Sequence, residues 1–141
     1  MPPKTEIIRV TPANAAVVDL VAEDVFDRPI DPDLLAAYLA EPGHLMIVAV
    51  SQGVVIGQAR GIVHRQPDEP THLYVDNLGV TPSRQREGVA LRMMQALFAW
   101  AGQCGCVAYW VATETDNTPA RGLYTSLGGD VEAMVFYEGD L

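Results

Sequence analysis

Lysine is almost missing from this chain. Lys4 is the only one in 141 residues, and eight arginines stand against 18 aspartates and glutamates, for a formal charge of −9 at pH 7. Such an acidic balance repels phosphate backbones and argues against a nucleic-acid partner. Cysteine is scarce too. Cys104 and Cys106 are the only two, too close within one strand for an easy disulfide, and no second pair exists to make a zinc site. They read as reduced, partly buried thiols. His44, His64 and His72 are scattered and share no ligand spacing, so no metal is expected. No apolar run approaches the roughly 18 residues of a membrane span, and Met1–Glu6 lacks the basic start and apolar core of a leader. These absences lead us to expect a cytoplasmic protein with neither a membrane nor a nucleic-acid partner.

What the chain does hold is apolar residues, 49% of the total. A chain of this length can bury roughly two-thirds of its unfolded surface in one core. Residues 1–141 are therefore read as a single domain. Glu6–Val10 reads as a strand, and Thr11-Pro12 can cap and begin a helix carrying Ala16, Leu20, Val21 and Val25 on one face. A turn-rich connection leads to a second helix over Asp33–Leu39. Leu45–Val50 and Val54–Ile62 read as a hairpin around Gln52-Gly53. Cys106–Ala112 is a further strand, Pro119–Leu127 a helix, and Val131–Tyr137 a closing strand. Tyr109, Trp110, Phe136 and Tyr137 on these last strands are expected to fill core or a subunit interface. The order predicts an α/β (α+β) fold, a mixed, mostly antiparallel sheet flanked by helices.

The most informative stretch is Leu73–Trp100. Leu73–Val80 is apolar enough for a buried strand, but Asp76, Asn77 and Gly79 interrupt it, which points to a bulge or a close backbone approach. Pro82 stops the ladder, and Ser83–Gly88 turns the chain into a long helix with Leu91, Met94, Leu97, Phe98 and Ala101 at helical spacing. Gly102 and Gly105 supply the stop. A strand turning through such a loop onto a helix leaves unpaired N–H groups at the positive end of the helix dipole, which is an anion site. Gly88 and Ala90 keep it open, and Arg84 and Arg86 add charge. A plain turn with solvated arginines fits the loop alone.

Gln85-Arg86-Glu87-Gly88-Val89-Ala90 resembles the Gln/Arg-x-x-Gly-x-Gly/Ala signature of the GNAT superfamily of acyl-CoA N-acyltransferases, between a strand and a long helix as in that family. Asn117 through Gly128, with Ala120, Leu123-Tyr124 and Leu127-Gly128, resembles the family's second motif. Within the superfamily the pattern is nearest to the aminoglycoside 3-N-acetyltransferase branch.

The resemblance implies an N-acetyltransferase that uses acetyl-CoA and passes the acetyl group directly to a primary amine. It also implies a homodimer. Backbone donors from Arg86, Glu87, Gly88, Val89 and Ala90 would hold the pyrophosphate, with help from Gln85 and Arg84. Leu78, Gly79 and Val80 would offer backbone groups to the pantetheine amides as if to an added strand. Asn117 would reach the pantetheine arm. Tyr124 is the candidate general acid, since a phenol of pKa about 10 keeps its proton at neutral pH. Asp76 is the candidate base, although the family branch places its acid one step later, where Asn77 stands, and neighbouring strand residues face opposite ways. Water could take that role instead. Asp24 and Asp27, with Asp76 and Asn77, are candidates for binding an aminoglycoside-like aminosugar or a polyamine. Neither cysteine lies in a motif, which argues against a covalent route. The alternatives are a non-catalytic acyl-CoA-binding domain and a protein N-acetyltransferase.

Overall fold

Five strands form one sheet in sequence order: β1 (Thr5–Arg9), β2 (His44–Ser51), β3 (Val54–His64), β4 (His72–Val80) and β5 (Ala108–Val111). This computed structural model describes residues 3–141; Met1 and Pro2, the start of the stretch read as lacking a leader, lie outside them. The first three pairings are antiparallel and β4–β5 is parallel. The expected mixed, mostly antiparallel sheet is therefore present. Gln52 and Gly53 are both left-handed, with φ of 52° and 76°, as a two-residue hairpin loop between right-twisted strands requires. The chain up to Val111 makes one compact unit, and Ala112–Leu141 makes another.

One face of the sheet carries α2 (Val89–Gln103), whose Met93, Met94 and Leu97 are fully buried. Removing each of these side chains from water contributes about 1.5–3 kcal/mol. The buried stripe is Val89, Met93, Met94, Leu97 and Ala101. It is rotated from the expected one, which leaves Leu91 38% exposed. Gly102 lies inside the helix, and Gly105, with φ of 93°, follows its end.

The opposite face is covered by a 3-10 helix at Pro12–Val18 and by α1 (Pro32–Ala40), around Val10, Val18, Val25, Met46, Val48 and Val55. The first of these corrects the long amphipathic helix expected from Pro12 to Val25. The chain leaves its helical path because Leu20–Ala22 pairs with β3: Ala22 N–H donates to the Val55 carbonyl, and Val55 N–H to that of Leu20, both at 2.9 Å. Leu20 is consequently 62% exposed. Asp31 caps α1 through bonds to the N–H groups of Asp33 and Leu34.

In the second unit, α3 (Thr118–Ser126) matches the expected motif helix. The closing strand expected at Val131–Tyr137 is not formed. The sheet of the described residues has five strands, and Phe136 and Tyr137 are 80% and 88% exposed rather than in a core.

Candidate active site

β4 pairs with β3 along its length but with β5 only from His72 to Val75. From Asp76 to Val80 its second edge has no ladder partner among the described residues, so backbone groups there, apart from the Val80 carbonyl that Gln85 takes, are available to a ligand that adds as a strand. The bulge falls at Asp76, within the stretch where Asp76, Asn77 and Gly79 point to one. Arg60 pairs with Asn77 and Gly61 with Val75, which leaves Asp76 as the extra residue.

That extra residue settles the facing of the two polar side chains. Asn77 shares a face with its partner Arg60, and its Oδ1 accepts from Gln58 Nε2 at 2.5 Å. Asp76 reaches the same cluster, with Oδ2 4.0 Å from Arg60 Nη1. Simple alternation would have parted them; the bulge brings them together. Gln58, fully buried, also donates to the Val25 carbonyl at 3.1 Å and accepts from Arg60 Nε at 3.1 Å. Gly79 pairs with Gln58, and a Cβ on it would collide with the Val25 carbonyl oxygen. The glycine is there for that close approach.

Tyr38 donates to the Leu45 carbonyl at 2.9 Å and stacks on His44. Burial pushes its phenol well above the ordinary value; Arg60 opposes the rise and Asp76 adds to it. This tyrosine keeps its proton.

Beyond β4, Gln85 Nε2 bonds the Val80 carbonyl at 3.1 Å and ties the loop to the strand end. Gly88 precedes α2 with φ of 78°, a conformation glycine adopts freely, and the space where its side chain would stand is empty to 4 Å. Arg92 N–H is the first of the helix to bond backward, onto the Gly88 carbonyl at 3.1 Å. The N–H groups of Glu87, Gly88, Val89, Ala90 and Leu91 have no backbone acceptor among the described residues. Unpaired donors, the helix dipole and open space together fit a phosphate group. Arg86 is exposed beside them in a left-handed conformation, φ 65°.

Arg84 differs from expectation. Its Nε holds the Glu87 carboxylate at 3.0 and 3.1 Å, and Nη2 donates to Thr5 Oγ1 at 3.1 Å. It braces the loop, and its charge is already matched by Glu87. An aspartate at Gly88 tests the anion site, because it places negative charge among these donors. Gly88→Asp is expected to abolish the thermal stabilisation that CoA gives the wild-type protein, while the unliganded stability falls only by the cost of a left-handed residue, about 1–2 kcal/mol.

Asn117 and Tyr124 both lie on or at the start of α3, in the second unit. Asn117 is the N-cap, its Oδ1 accepting from Ala120 N–H at 3.2 Å, so the side chain read as a pantetheine contact has a structural use for its oxygen. Tyr124 is half-buried.

Asp27 lines a cleft of about 630 Å³ beside Val18, Val21, Phe26, Ile30 and Leu35. Asp24 is exposed, with φ of 59°. Burial, with Cys104 beside it and Arg65 opposing, raises the Cys106 thiol above its usual value, so the reactive thiolate is disfavoured.

The sequence reading missed Gln58, Arg60 and Phe26. Two long polar side chains inside the otherwise apolar Val54–Ile62 run were the available signal.

The model of the Acetyltransferase (GNAT) family matches residues 14–128. The N-alpha-acetyltransferase RimI of Mycobacterium tuberculosis is 34% identical over 104 residues, covering 74% of this chain and 63% of that protein. The aminoglycoside N(6')-acetyltransferase type 1 of Salmonella typhimurium is 26% identical over 95 residues, 64% of this chain and 66% of that one. The chain thus spans just under two-thirds of the length of these curated relatives. Among solved structures, the aminoglycoside N-acetyltransferase AAC(6')-Iy in complex with CoA superposes with a TM-score of 0.76 at 20% identity, covering 96% of this chain and all of that one. That likeness is one of fold.

Proposed function

Because the chain belongs to the GNAT acetyltransferase family, we propose that it is an N-acetyltransferase that passes an acetyl group from acetyl-CoA directly to a primary amine of a small molecule. The observation that carries this reading is the run of unpaired N–H groups from Glu87 to Leu91 behind the open Gly88 position. That run would hold the pyrophosphate, and the unpaired edge of β4 from Leu78 to Val80 would hold the pantetheine amides. Acetyl-CoA supplies the acetyl thioester. Asp76 takes the proton from the incoming ammonium, and Tyr124 gives one to the departing thiolate. A backbone N–H of the β4 edge polarises the carbonyl. In the same reading, residues 1–141 are one domain that works as a homodimer in the cytoplasm.

An aminoglycoside-like aminosugar or a polyamine is the acceptor we favour. The net charge of −9 and the exposed Asp24 and Asp27 suit a cationic substrate. Relatives named for aminoglycosides support the same class, the position in their names being 6' rather than 3. A peptide N-terminus is the second reading, favoured by the 34% identity to RimI.

Thiol release from acetyl-CoA across aminoglycosides, polyamines, amino acids and short peptides separates these, with CoA thermal shift in parallel. Aminosugar or polyamine turnover is expected. Turnover confined to peptides would move the assignment to a protein N-acetyltransferase, and CoA stabilisation without any turnover would make the chain a binding domain.

A further inference from the structure

Arg60 is held at three points. Its Nε donates to the Oε1 of the fully buried Gln58 at 3.1 Å, its guanidinium carbon lies 5.7 Å from the centre of the Phe26 ring, and its Nη1 stands 4.0 Å from Asp76 Oδ2. Gln58 cannot turn away, because its amide nitrogen is committed to the Val25 carbonyl and to Asn77 Oδ1. The amide and the ring therefore fix the arginine stem, while the end facing Asp76 makes a single contact at the outer limit of an ion pair. Both side chains are reached by solvent, 26% and 37% exposed. An exposed single-point pair is weak and gives way readily to a better-placed cation.

We propose that Arg60 is a specificity-determining residue that acts as an internal counter-cation. It occupies the Asp76 carboxylate while no acceptor is bound, and the acceptor's ammonium must displace it to enter. The inference rests on Asp76 being the carboxylate that receives the amine. Three features argue for it together. The cation is anchored by Gln58 and Phe26 independently of Asp76, so it stays at hand after displacement. The contact to Asp76 is not bidentate, so a compact ammonium, with donors in three directions, can out-compete it. The bulge turns Asp76 toward this cluster, so the carboxylate on β4 meets its resident cation on the neighbouring strand β3. An amine that pairs poorly with a carboxylate, through crowding at nitrogen, is refused because it cannot repay the lost arginine contact.

The test uses Arg60→Met, which keeps an unbranched stem against Phe26 and removes the charge. The acceptor KM is expected to fall about two- to fivefold, the value of an exposed ion pair. The acetyl-CoA KM and kcat are expected to stay where they are. Methylguanidinium at matched ionic strength should raise the acceptor KM of Arg60→Met back to the wild-type value by refilling the vacated place, and should leave the wild type unchanged. Arg60→Lys, which keeps the charge but loses the Nε bond to Gln58, should give an acceptor KM above that of Arg60→Met. A purely structural Arg60 predicts instead a lowered melting temperature with no response to methylguanidinium. Should Arg60→Met not fold, Arg60→Gln is read by the same constants. An acceptor KM that is unmoved or raised in a folded variant overturns this inference alone, whereas absence of turnover with every amine in the wild type overturns the functional reading and this inference with it.

Discussion

Tyr124→Phe is expected to lower kcat by about 10²- to 10³-fold, the usual worth of a positioned general acid. The KM for acetyl-CoA should change little, because the loop donors and the β4 edge proposed to hold it are untouched. Tyr124 lies half-buried on α3, the helix capped by Asn117, and removing one hydroxyl leaves the ring and its packing in place. The unfolding free energy should therefore drop by no more than a single hydrogen bond's worth, about 0.5–1.5 kcal/mol. Steady-state kinetics with the best acceptor from the amine panel gives the answer directly. A variant that turns over at the wild-type rate would remove Tyr124 from the mechanism and leave proton delivery to water. If the melting point and kcat fall together in proportion, the hydroxyl serves the fold instead.

Gly79→Ala should be clearly destabilising. The new Cβ meets the Val25 carbonyl, which is backbone and cannot rotate aside, and Gln58 Nε2 stands 3.4 Å away. Overpacking of this kind costs about 1–3 kcal/mol. The same carbonyl accepts from Gln58, so a displaced Val25 also loosens the amide that holds Asn77 and Arg60. Activity should fall further than stability accounts for. Gly102→Ala is the control: that glycine sits inside α2 with nothing within 4 Å of the added methyl, so the substitution should stabilise by about 1 kcal/mol. Urea midpoints at constant m would show the two changes moving in opposite directions. A Gly79→Ala protein as stable as wild type would mean that the Leu20–Phe26 segment is free to retreat.

The loop and the long helix were legible in the sequence because each is specified locally. Pro82 ends the ladder, glycine suits the left-handed turn at 88, and the apolar spacing from Val89 fixes the helix. The residues from Pro12 to Val25 misled for the opposite reason. Their spacing favours a helix, but the backbone of Leu20 and Ala22 is claimed by Val55, more than 30 positions away, and no local pattern reports that pairing. Val131–Tyr137 has strand composition, yet a strand is defined by its neighbour, and composition does not name one. Asp76 is the most instructive case. Alternation alone set it against Asn77, and only the observed register, with one residue too many on β4, lets Asn77 reach Gln58 while Asp76 reaches Arg60. Arg84 reads as a phosphate ligand by its place in the chain, and no local pattern reports that its guanidinium also holds the carboxylate three residues on.

Thr5, at the beginning of the outermost strand, is gripped twice. Arg84 holds its hydroxyl at 3.1 Å, and Arg92 donates to its carbonyl at 3.0 Å. Edge strands fray first, because half of their backbone is satisfied by water alone. Here the fraying end is tied to the two sides of the turn that precedes and begins α2. This edge of the sheet and the turn before α2 therefore form one mechanical unit, although nearly eighty positions separate them in the chain. A tag or deletion that peels the first strand away removes the anchor of both arginines and unsteadies a turn it never touches.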